Sequence, residues 1–268
     1  MLQTGSILLS SVLLFLAAAA RAQEIVTLPT RPGVTQSLFI ASMGERKPAA
    51  AALLLIGGGG NINLRMEGGQ VRFGQGNFLP RSRREFIRNG ILPVILDNPS
   101  DQQAGAGMSD QFRESAAHAT DVRAIVGEIK KRYPALPVFV VGTSRSTYSA
   151  AHLAVALERE IAGVVLSASY FYGGGRAMAP MLASFDWSKV KISLLVVHHV
   201  DDGCAGTPYR DAARLGQRFP LISVEGGKPA ESGPCEPLAQ HGFYGKEAQT
   251  VDAIAAWMLG KPFAKEIR

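Results

Sequence analysis

Short, wholly apolar runs alternate with amphipathic stretches along most of this 268-residue sequence. The runs are hydrophobic at nearly every position rather than at every second one, which is typical of strands buried on both faces. Strands of this kind, separated by helices, form a mostly parallel sheet that is covered by helices on both sides. Strands are predicted within the segments 50–60, 91–100, 137–142, 161–170, 191–200 and 221–227.

The stretches between these runs have the residue spacing of helices. Apolar side chains recur at helical intervals over residues 109–132, and Ser109 stands where a helix N-cap is expected. Further helices are predicted over residues 147–160, 207–219 and 246–259.

Two stretches, 61–90 and 171–190, lack a clear period and are rich in glycine, arginine and aromatic residues. We expect them to be loops over one end of the sheet. No segment has the composition of a linker between domains, so residues 23–268 are predicted to form one α/β domain.

An unbroken apolar run over residues 7–20 opens the sequence. This run is shorter than the roughly 20 residues that a membrane span needs. Ala20, Arg21 and Ala22 fit the small-x-small rule for cleavage before Gln23. Residues 1–22 are therefore predicted to be a signal peptide, with an uncleaved anchor as the alternative. The mature protein is expected in the periplasm or outside the cell, without a stable membrane span.

The formal net charge of +6 is scattered along the chain. No basic stripe is interleaved with aromatic residues, so nucleic acid is not an expected partner. Cys204 and Cys235 are the two cysteines of the sequence. An even number of cysteines in an exported protein predicts one disulfide between them.

The segment "VVGTSRSTYSA", residues 140–150, joins a predicted strand to a predicted helix. A sharp turn of this kind can hold a residue at an exposed, strained tip, provided that the residues two before and two after it are small. Gly142 and Ser146 meet this requirement around Ser144, although the usual pattern has glycine in place of Ser146. The alternative is that Ser144 only caps the helix.

A serine hydroxyl is a weak nucleophile, and it needs a base that is itself oriented by a third group. Candidates follow later strands: Asp201 and Asp202 in "LLVVHHVDDGC", and His241 in "AQHGFYGKE". A cluster of His198, His199, Asp201, Asp202 and Cys204 could instead bind a metal. Adjacent strand histidines point to opposite faces, however, and this favours the reading without a metal.

Four segments in this order, "LLLIGGGG", "VGTSRS", "VVHHVDD" and "HGFYGKEAQTVDAIAAW", resemble the α/β-hydrolase superfamily. Within it, the resemblance is to single-domain exported esterases and dienelactone-hydrolase-like proteins. It implies a three-layer fold without a large cap domain, with Ser144 as nucleophile and His241 as base. The family acid stands four residues after a histidine, which favours Asp202 over Asp201 when counted from His198.

The glycine run after the first apolar strand is expected to carry the oxyanion loop. Backbone N–H groups of Gly58 and Gly59, with that of Arg145, would then face the developing negative charge. The Arg145 side chain could pair a substrate carboxylate or lie along the surface. The predicted disulfide would fasten the loop of the acid to the loop of the histidine.

These features predict an exported serine hydrolase that cleaves a carboxylic ester or related acyl bond through an acyl-enzyme. The expected partner is a small-molecule ester or acyl substrate, and neither a cofactor nor a metal is expected. Three alternatives stay open: a non-catalytic binding protein on the same fold, a thioesterase or peptidase with the same triad, and a metal-dependent hydrolase.

Overall fold

The structure is a computed structural model that describes residues 23–174 and 178–268. The predicted signal peptide, residues 1–22, lies outside the described residues. The strands are β1 (Glu24–Arg31), β2 (Val34–Ile40), β3 (Ala50–Leu55), β4 (Arg65–Glu67), β5 (Gln70–Arg72), β6 (Ile91–Pro99), β7 (Val138–Thr143), β8 (Gly163–Ser167), β9 (Tyr172–Gly173), β10 (Ala179–Pro180), β11 (Ser193–His199), β12 (Leu221–Val224) and β13 (Glu266–Ile267).

One large sheet forms the centre of the molecule, with its strands in the order β1-β2-β6-β3-β7-β8-β11-β12-β13. Seven neighbouring strands of this sheet run parallel to one another: β6, β3, β7, β8, β11, β12 and β13. At the other edge, β1 pairs with β2 and β2 pairs with β6 in antiparallel fashion. The predicted, mostly parallel sheet is therefore confirmed. Two further pairs lie outside this sheet: β4 pairs with β5 and β9 pairs with β10, both in antiparallel fashion.

Helices cover both faces of the sheet because its strands are apolar on both sides. The helices are α1 (Phe78–Arg81), α2 (Arg83–Arg88), α3 (Asp110–Arg113), α4 (Ala116–Arg132), α5 (Ser146–Ala156), α6 (Tyr209–Leu215) and α7 (Glu247–Met258). Leu53 and Leu55 of β3 belong to the core under α4, α5 and α6. Leu54 belongs to the opposite core, under α1, α2 and α7. This confirms the predicted three-layer arrangement.

The predicted helix over 109–132 is divided in two, so the expectation of one continuous helix is wrong. Ser109 caps α3 as predicted, because its side chain accepts a hydrogen bond from the N–H of Phe112. Ser115 then caps α4 by accepting from the N–H of His118, while its hydroxyl donates to the carbonyl of Phe112. A side chain that caps a new helix in this way ends the preceding one.

The expectation of loops holds only in part. The stretch 61–90 contains the β4–β5 hairpin and the short helices α1 and α2, whereas 171–190 holds the two-residue strands β9 and β10 and isolated turns. Within the described ranges, no insertion is long enough to form a separate cap domain. None of the helices in those ranges combines the length and apolar character that crossing a membrane requires.

An ion pair fastens the antiparallel edge of the sheet to α4. Arg31 of β1 donates from Nε to Asp121 Oδ1 at 2.8 Å and from Nη2 to Asp121 Oδ2 at 3.0 Å. The carboxylate of Asp121 is completely buried, whereas the Arg31 side chain is 19% exposed. A buried carboxylate is stable in its charged form only while its partner is present.

Replacing Arg31 by methionine is therefore expected to lower the free energy of unfolding by about 3 kcal/mol, since Asp121 would be left buried and unpaired. Urea unfolding followed by circular dichroism measures the change. Arg65→Met is the matched control, because Arg65 pairs with Glu67 on the surface, where both side chains are more than half exposed. The control is expected to stay within about 0.5 kcal/mol of the unsubstituted protein; equal effects of both changes would contradict the assignment.

Candidate active site

Ser144 lies at the junction of β7 and α5, in a backbone conformation that side chains rarely adopt. Its φ angle is +53°, in the left-handed region, and such a residue stores about 1–3 kcal/mol of strain. The tight turn leaves no space at Gly142, where a Cβ atom would lie 2.7 Å from the carbonyl oxygen of Ser146. The backbone N–H of Ser144 donates to the carbonyl of Ser167 in the neighbouring β8 at 2.9 Å.

Ser146, the departure from the usual glycine, has a structural role at this turn. Its hydroxyl donates to the carbonyl of Leu55 at the end of β3, at 2.6 Å. The same oxygen accepts from the N–H of Thr143 at 3.0 Å. The side chain is completely buried, so it fastens the ends of β3 and β7 to the start of α5.

Asp202, and not its neighbour Asp201, contacts His241. The Asp202 Oδ2 atom lies 3.0 Å from His241 Nδ1, and Oδ1 lies 3.2 Å from the same nitrogen. Oδ1 also accepts from the N–H of Cys204 at 3.0 Å, and Oδ2 accepts from the hydroxyl of Thr207 at 2.8 Å. Asp201 is exposed, and its N–H donates to His199 Nδ1.

The carboxylate of Asp202 is fully buried. Burial by itself would raise the pKa of this group, but hydrogen bonds from His198 and His241 outweigh burial and hold the pKa well below its usual range. Because the pKa is lower in the folded chain than in the unfolded one, the ionised group stabilises the fold at neutral pH. That contribution begins to fall as the pH drops below the usual carboxyl pKa and is lost through the depressed one.

His241 lies on a single helical turn between β12 and α7. Its Nδ1 faces Asp202 and also lies 3.2 Å from the hydroxyl oxygen of Thr207. Its Nε2 has no hydrogen-bond partner among the described residues. The next residue, Gly242, has to be a glycine, because a Cβ atom at this position would lie 1.9 Å from the carbonyl oxygen of Pro237. The turn thus presents one imidazole nitrogen to the acid and leaves the other available.

Arg81 of α1 fastens this turn from behind. Its Nη2 donates to the carbonyls of Pro237, at 3.1 Å, and Gly242, at 2.9 Å. The same guanidinium forms an ion pair with Glu247 in the first turn of α7, at 2.9 Å. Three separate segments around His241 are therefore joined by one side chain, which the sequence alone did not single out.

Ser144 and His241 line the same cavity, which has a volume of about 260 Å³. No hydrogen bond joins their side chains among those described. Such contacts are often longer in substrate-free sites and tighten when a substrate binds. The complete lining is Ile56, Gly57, Gly58, Asn77, Phe78, Thr143, Ser144, Cys235, Glu236, Pro237, His241 and Gly242.

The glycine run after β3 forms one wall of this cavity. Gly57 lies directly beside the serine, since a Cβ atom on it would be 3.0 Å from Ser144 Cβ. Gly58 lines the cavity with a left-handed φ of +61°. Gly59 does not line it: a Cβ atom there would meet the carbonyl oxygen of Ala106 at 2.3 Å. Of the two predicted oxyanion glycines, only Gly58 lies at the cavity wall.

A buried arginine holds Gly58 in place. Arg113, at the end of α3, is only 1% exposed. It donates to the carbonyl of Gly58 at 2.8 Å and to the hydroxyl of Ser149 in α5 at 3.2 Å. Burial lowers the pKa of Arg113 to about 10. No sequence pattern marks this residue, because it lies far from the glycine run along the chain.

Arg145 follows the serine, and its side chain lies along the surface rather than in the cavity. Its Nε donates to Asp110 Oδ1 at 2.6 Å, and this hydrogen bond raises the pKa of the guanidinium. The backbone N–H of Arg145 has no acceptor among the described residues. Of the two roles considered for the side chain, the ion pair supports the surface one.

The structure contains the predicted disulfide between Cys204 and Cys235, whose Cα atoms are 4.6 Å apart. Cys204 is buried and follows Asp202 by two residues, and its N–H bonds to that carboxylate. Cys235 lines the cavity six residues before His241. The bridge thus joins the loop of the acid to the loop of the histidine.

His198 and His199 have protein partners on both ring nitrogens. His198 Nδ1 accepts from the N–H of Ser169 at 3.3 Å, so its Nε2 carries the proton and donates to the carbonyl of Thr207 at 2.8 Å. His199 Nε2 likewise donates to the carbonyl of Gly226 at 2.8 Å. In the part of the chain that the structure describes, no group of three or more His, Cys, Asp or Glu side chains could hold a metal ion.

A larger cavity of about 500 Å³ lies beside α5, away from the serine. Tyr148, His152 and Phe185 line it, and none of the predicted site residues does. The Tyr148 hydroxyl is bonded to Glu114 there. The volume of a cavity therefore does not identify the candidate active site. The smaller cavity is the candidate because Ser144 and His241 line it and Asp202 contacts His241.

No protein-family model matches this sequence, and no curated protein matches it. Solved structures, by contrast, match the fold over nearly its whole length. An α/β serine hydrolase homologue from Coxiella burnetii superposes with a TM-score of 0.56, at 9% identity, over 91% of this chain and 99% of that one.

Two further structures agree with this match. XC6422 from Xanthomonas campestris, described as an α/β serine hydrolase without a lid, gives a TM-score of 0.54 at 16% identity over 90% of this chain and 97% of that one. Est1E from Butyrivibrio proteoclasticus gives a TM-score of 0.58 at 10% identity over 88% of this chain and 98% of that one. The architecture of this chain is that of the α/β-hydrolase fold.

Proposed function

We propose that this protein is an exported serine hydrolase that cleaves a carboxylic ester or a related acyl bond. One observation carries the proposal. Ser144 and His241 line the same cavity. The buried carboxylate of Asp202 lies within hydrogen-bond distance of His241 Nδ1, at 3.0 Å, which leaves His241 Nε2 available for the serine. This is the arrangement in which a base can activate a serine hydroxyl.

In the first half of the reaction, Ser144 Oγ attacks the substrate carbonyl carbon and His241 Nε2 accepts the hydroxyl proton. Asp202 holds the Nδ1–H of the imidazole and stabilises the imidazolium that forms. Collapse of the tetrahedral intermediate breaks the C–O bond, and the alcohol leaves with the proton from His241. Water then attacks the acyl-enzyme by the same route and releases the acid.

The oxyanion would be stabilised by the backbone N–H groups of Gly58 and Arg145. Neither N–H has an acceptor in the described structure. The bond from Arg113 holds the carbonyl of Gly58, in the peptide unit that follows this N–H. One such donor is worth about 3–4 kcal/mol of the activation barrier. Gly59 has no part in this proposal, since it packs against Ala106 instead.

The cavity favours small, uncharged acyl groups. Its volume of about 260 Å³ is below the range of pockets that enclose larger ligands. Among the described residues that line it, Glu236 is the one acidic residue, and none is a lysine or an arginine. A carboxylate on the substrate would therefore meet a like charge and no cation to pair with.

Export is part of the proposal and is supported by two features. The apolar run 7–20 with its small-x-small end has the form of a signal peptide. The Cys204–Cys235 bridge is of the kind that persists in oxidising compartments.

The direct test is labelling of the purified protein by a fluorophosphonate probe, which forms a covalent bond with an activated serine. We expect labelling of the unsubstituted protein and its loss in Ser144→Ala. Ser188→Ala, which removes an exposed serine of another loop, is the control and should label fully. An unsubstituted protein that stays unlabelled would favour a non-catalytic binding protein on the same fold.

Adjacent aspartates provide a second test. Asp202→Asn is expected to lower kcat for a simple ester about 10³–10⁴-fold, because the imidazole loses the partner that holds its tautomer. Asp201→Asn should keep kcat within a factor of about two, since Asp201 bonds only to His199 through its backbone. Steady-state kinetics of both variants decide the matter, and the reverse ranking would identify Asp201 as the acid.

A substrate series tests the shape and charge of the cavity. We expect kcat/KM to be highest for acetate and propionate esters, to fall for longer chains, and to be low for acyl groups bearing a carboxylate. Glu236→Gln should improve the anionic substrates relative to the neutral ones by about fivefold, whereas Glu231→Gln, in the same loop but outside the cavity, should not. A preference for thioesters or peptides over esters would instead identify a thioesterase or peptidase.

A further inference from the structure

Asn77 is a polar side chain of the cavity wall that the proposed reaction does not yet use. It precedes α1 and caps this helix, because its Oδ1 accepts a hydrogen bond from the N–H of Leu79. The cap decides the orientation of the amide: Oδ1 is directed to the helix, and the Nδ2 group carries two N–H donors away from it.

The Nδ2 group lies beside the nucleophile. A Cβ atom built on Gly57 would lie 3.0 Å from Ser144 Cβ and 3.4 Å from Asn77 Nδ2. Both groups therefore flank the same glycine, and its missing side chain allows them to approach each other. His241 lines the same cavity and belongs to the segment that Arg81 holds.

This donor has no acceptor in the described part of the protein. Asn77 is half-buried and lines the cavity, and its Nδ2 group lies near Gly57, another residue of the cavity lining. Gly58, whose N–H is also without an acceptor, follows Gly57 on the same wall. Two donors without an acceptor among the described residues thus belong to residues that line the same cavity as Ser144.

The segment that carries Asn77 is fixed to the histidine turn. Arg81 bonds to the carbonyl of Gly76 through Nη1 and to the carbonyl of Gly242 through Nη2. Phe78 packs against Phe243, with ring centroids 4.7 Å apart. A donor can stabilise a transition state without reorganisation only if it is held in this way.

We propose that Asn77 is a catalytic residue whose Nδ2–H donates to the oxyanion, together with the N–H groups of Gly58 and Arg145. The inference rests on the proposed function. No proton leaves Asn77; its hydrogen bond strengthens as the carbonyl oxygen gains negative charge. The contribution therefore appears in kcat rather than in substrate binding.

Asn77→Ser tests this role, because serine caps a helix as well as asparagine does but is too short to reach the oxyanion. We expect kcat for an acetate ester to fall about 10²-fold with KM nearly unchanged. Asn77→Asp also keeps the cap and should fall further, since a negative charge would face the oxyanion. The urea midpoint of both variants should match that of the unsubstituted protein.

Inhibition by a trifluoromethyl ketone distinguishes a catalytic role of Asn77 from a structural one, because a structural role would leave the inhibition constant unchanged. The ketone adds to Ser144 to give a tetrahedral oxyanion adduct, so its inhibition constant in Asn77→Ser should rise by the same factor by which kcat/KM falls. Unchanged kcat and inhibition constant, or a rise in KM alone, would overturn the role of Asn77 and leave the proposed function intact. If the unsubstituted protein neither turns over esters nor binds the ketone, the proposed function itself fails.

Discussion

The buried carboxylate of Asp202 is the constraint around which the candidate site is built. A charge removed from water must be met by hydrogen bonds in nearly every direction. Three donors bond to this one, namely His241, the Thr207 hydroxyl and the Cys204 N–H, and the His198 ring lies close by, with Nε2 3.4 Å from Oδ2. Since His198 belongs to β11 while His241 follows β12, satisfying this charge also fixes the position of the imidazole relative to the sheet.

Two arginines, Arg81 and Arg113, fix the backbone of the loops around the site by hydrogen bonds to their carbonyl groups. Arg113 bonds to the carbonyl of Gly58, and Arg81 bonds to the carbonyls of Gly76 and Gly242. Neither arginine lines the cavity that contains Ser144. Each guanidinium instead bonds to the backbone of a loop that does line it. Side chains with several fixed donors suit this purpose, and loops held in this way place their N–H groups and side chains without help from a substrate.

The parallel part of the sheet was predictable because its strands are apolar at nearly every position and are separated by helices. The antiparallel strands β1 and β2 were not predicted, since polar residues interrupt them and β1 is only partly buried. Ser144 and His241 could be predicted as site residues, because each stands in a short turn with a recognisable local sequence. Arg113 and Asn77 could not be found in the same way, because their partners lie far away in sequence and no short motif records such contacts.

The disulfide links the site to the place where the chain is oxidised. Cys204 follows Asp202 by two residues and Cys235 precedes His241 by six, so a chain that still carries two thiols lacks the disulfide between these loops. In a reducing compartment, only noncovalent contacts would hold the two loops together, such as the Asp202–His241 hydrogen bond. On the proposed function, the covalent link between the acid loop and the histidine loop would be completed only after export, in an oxidising compartment.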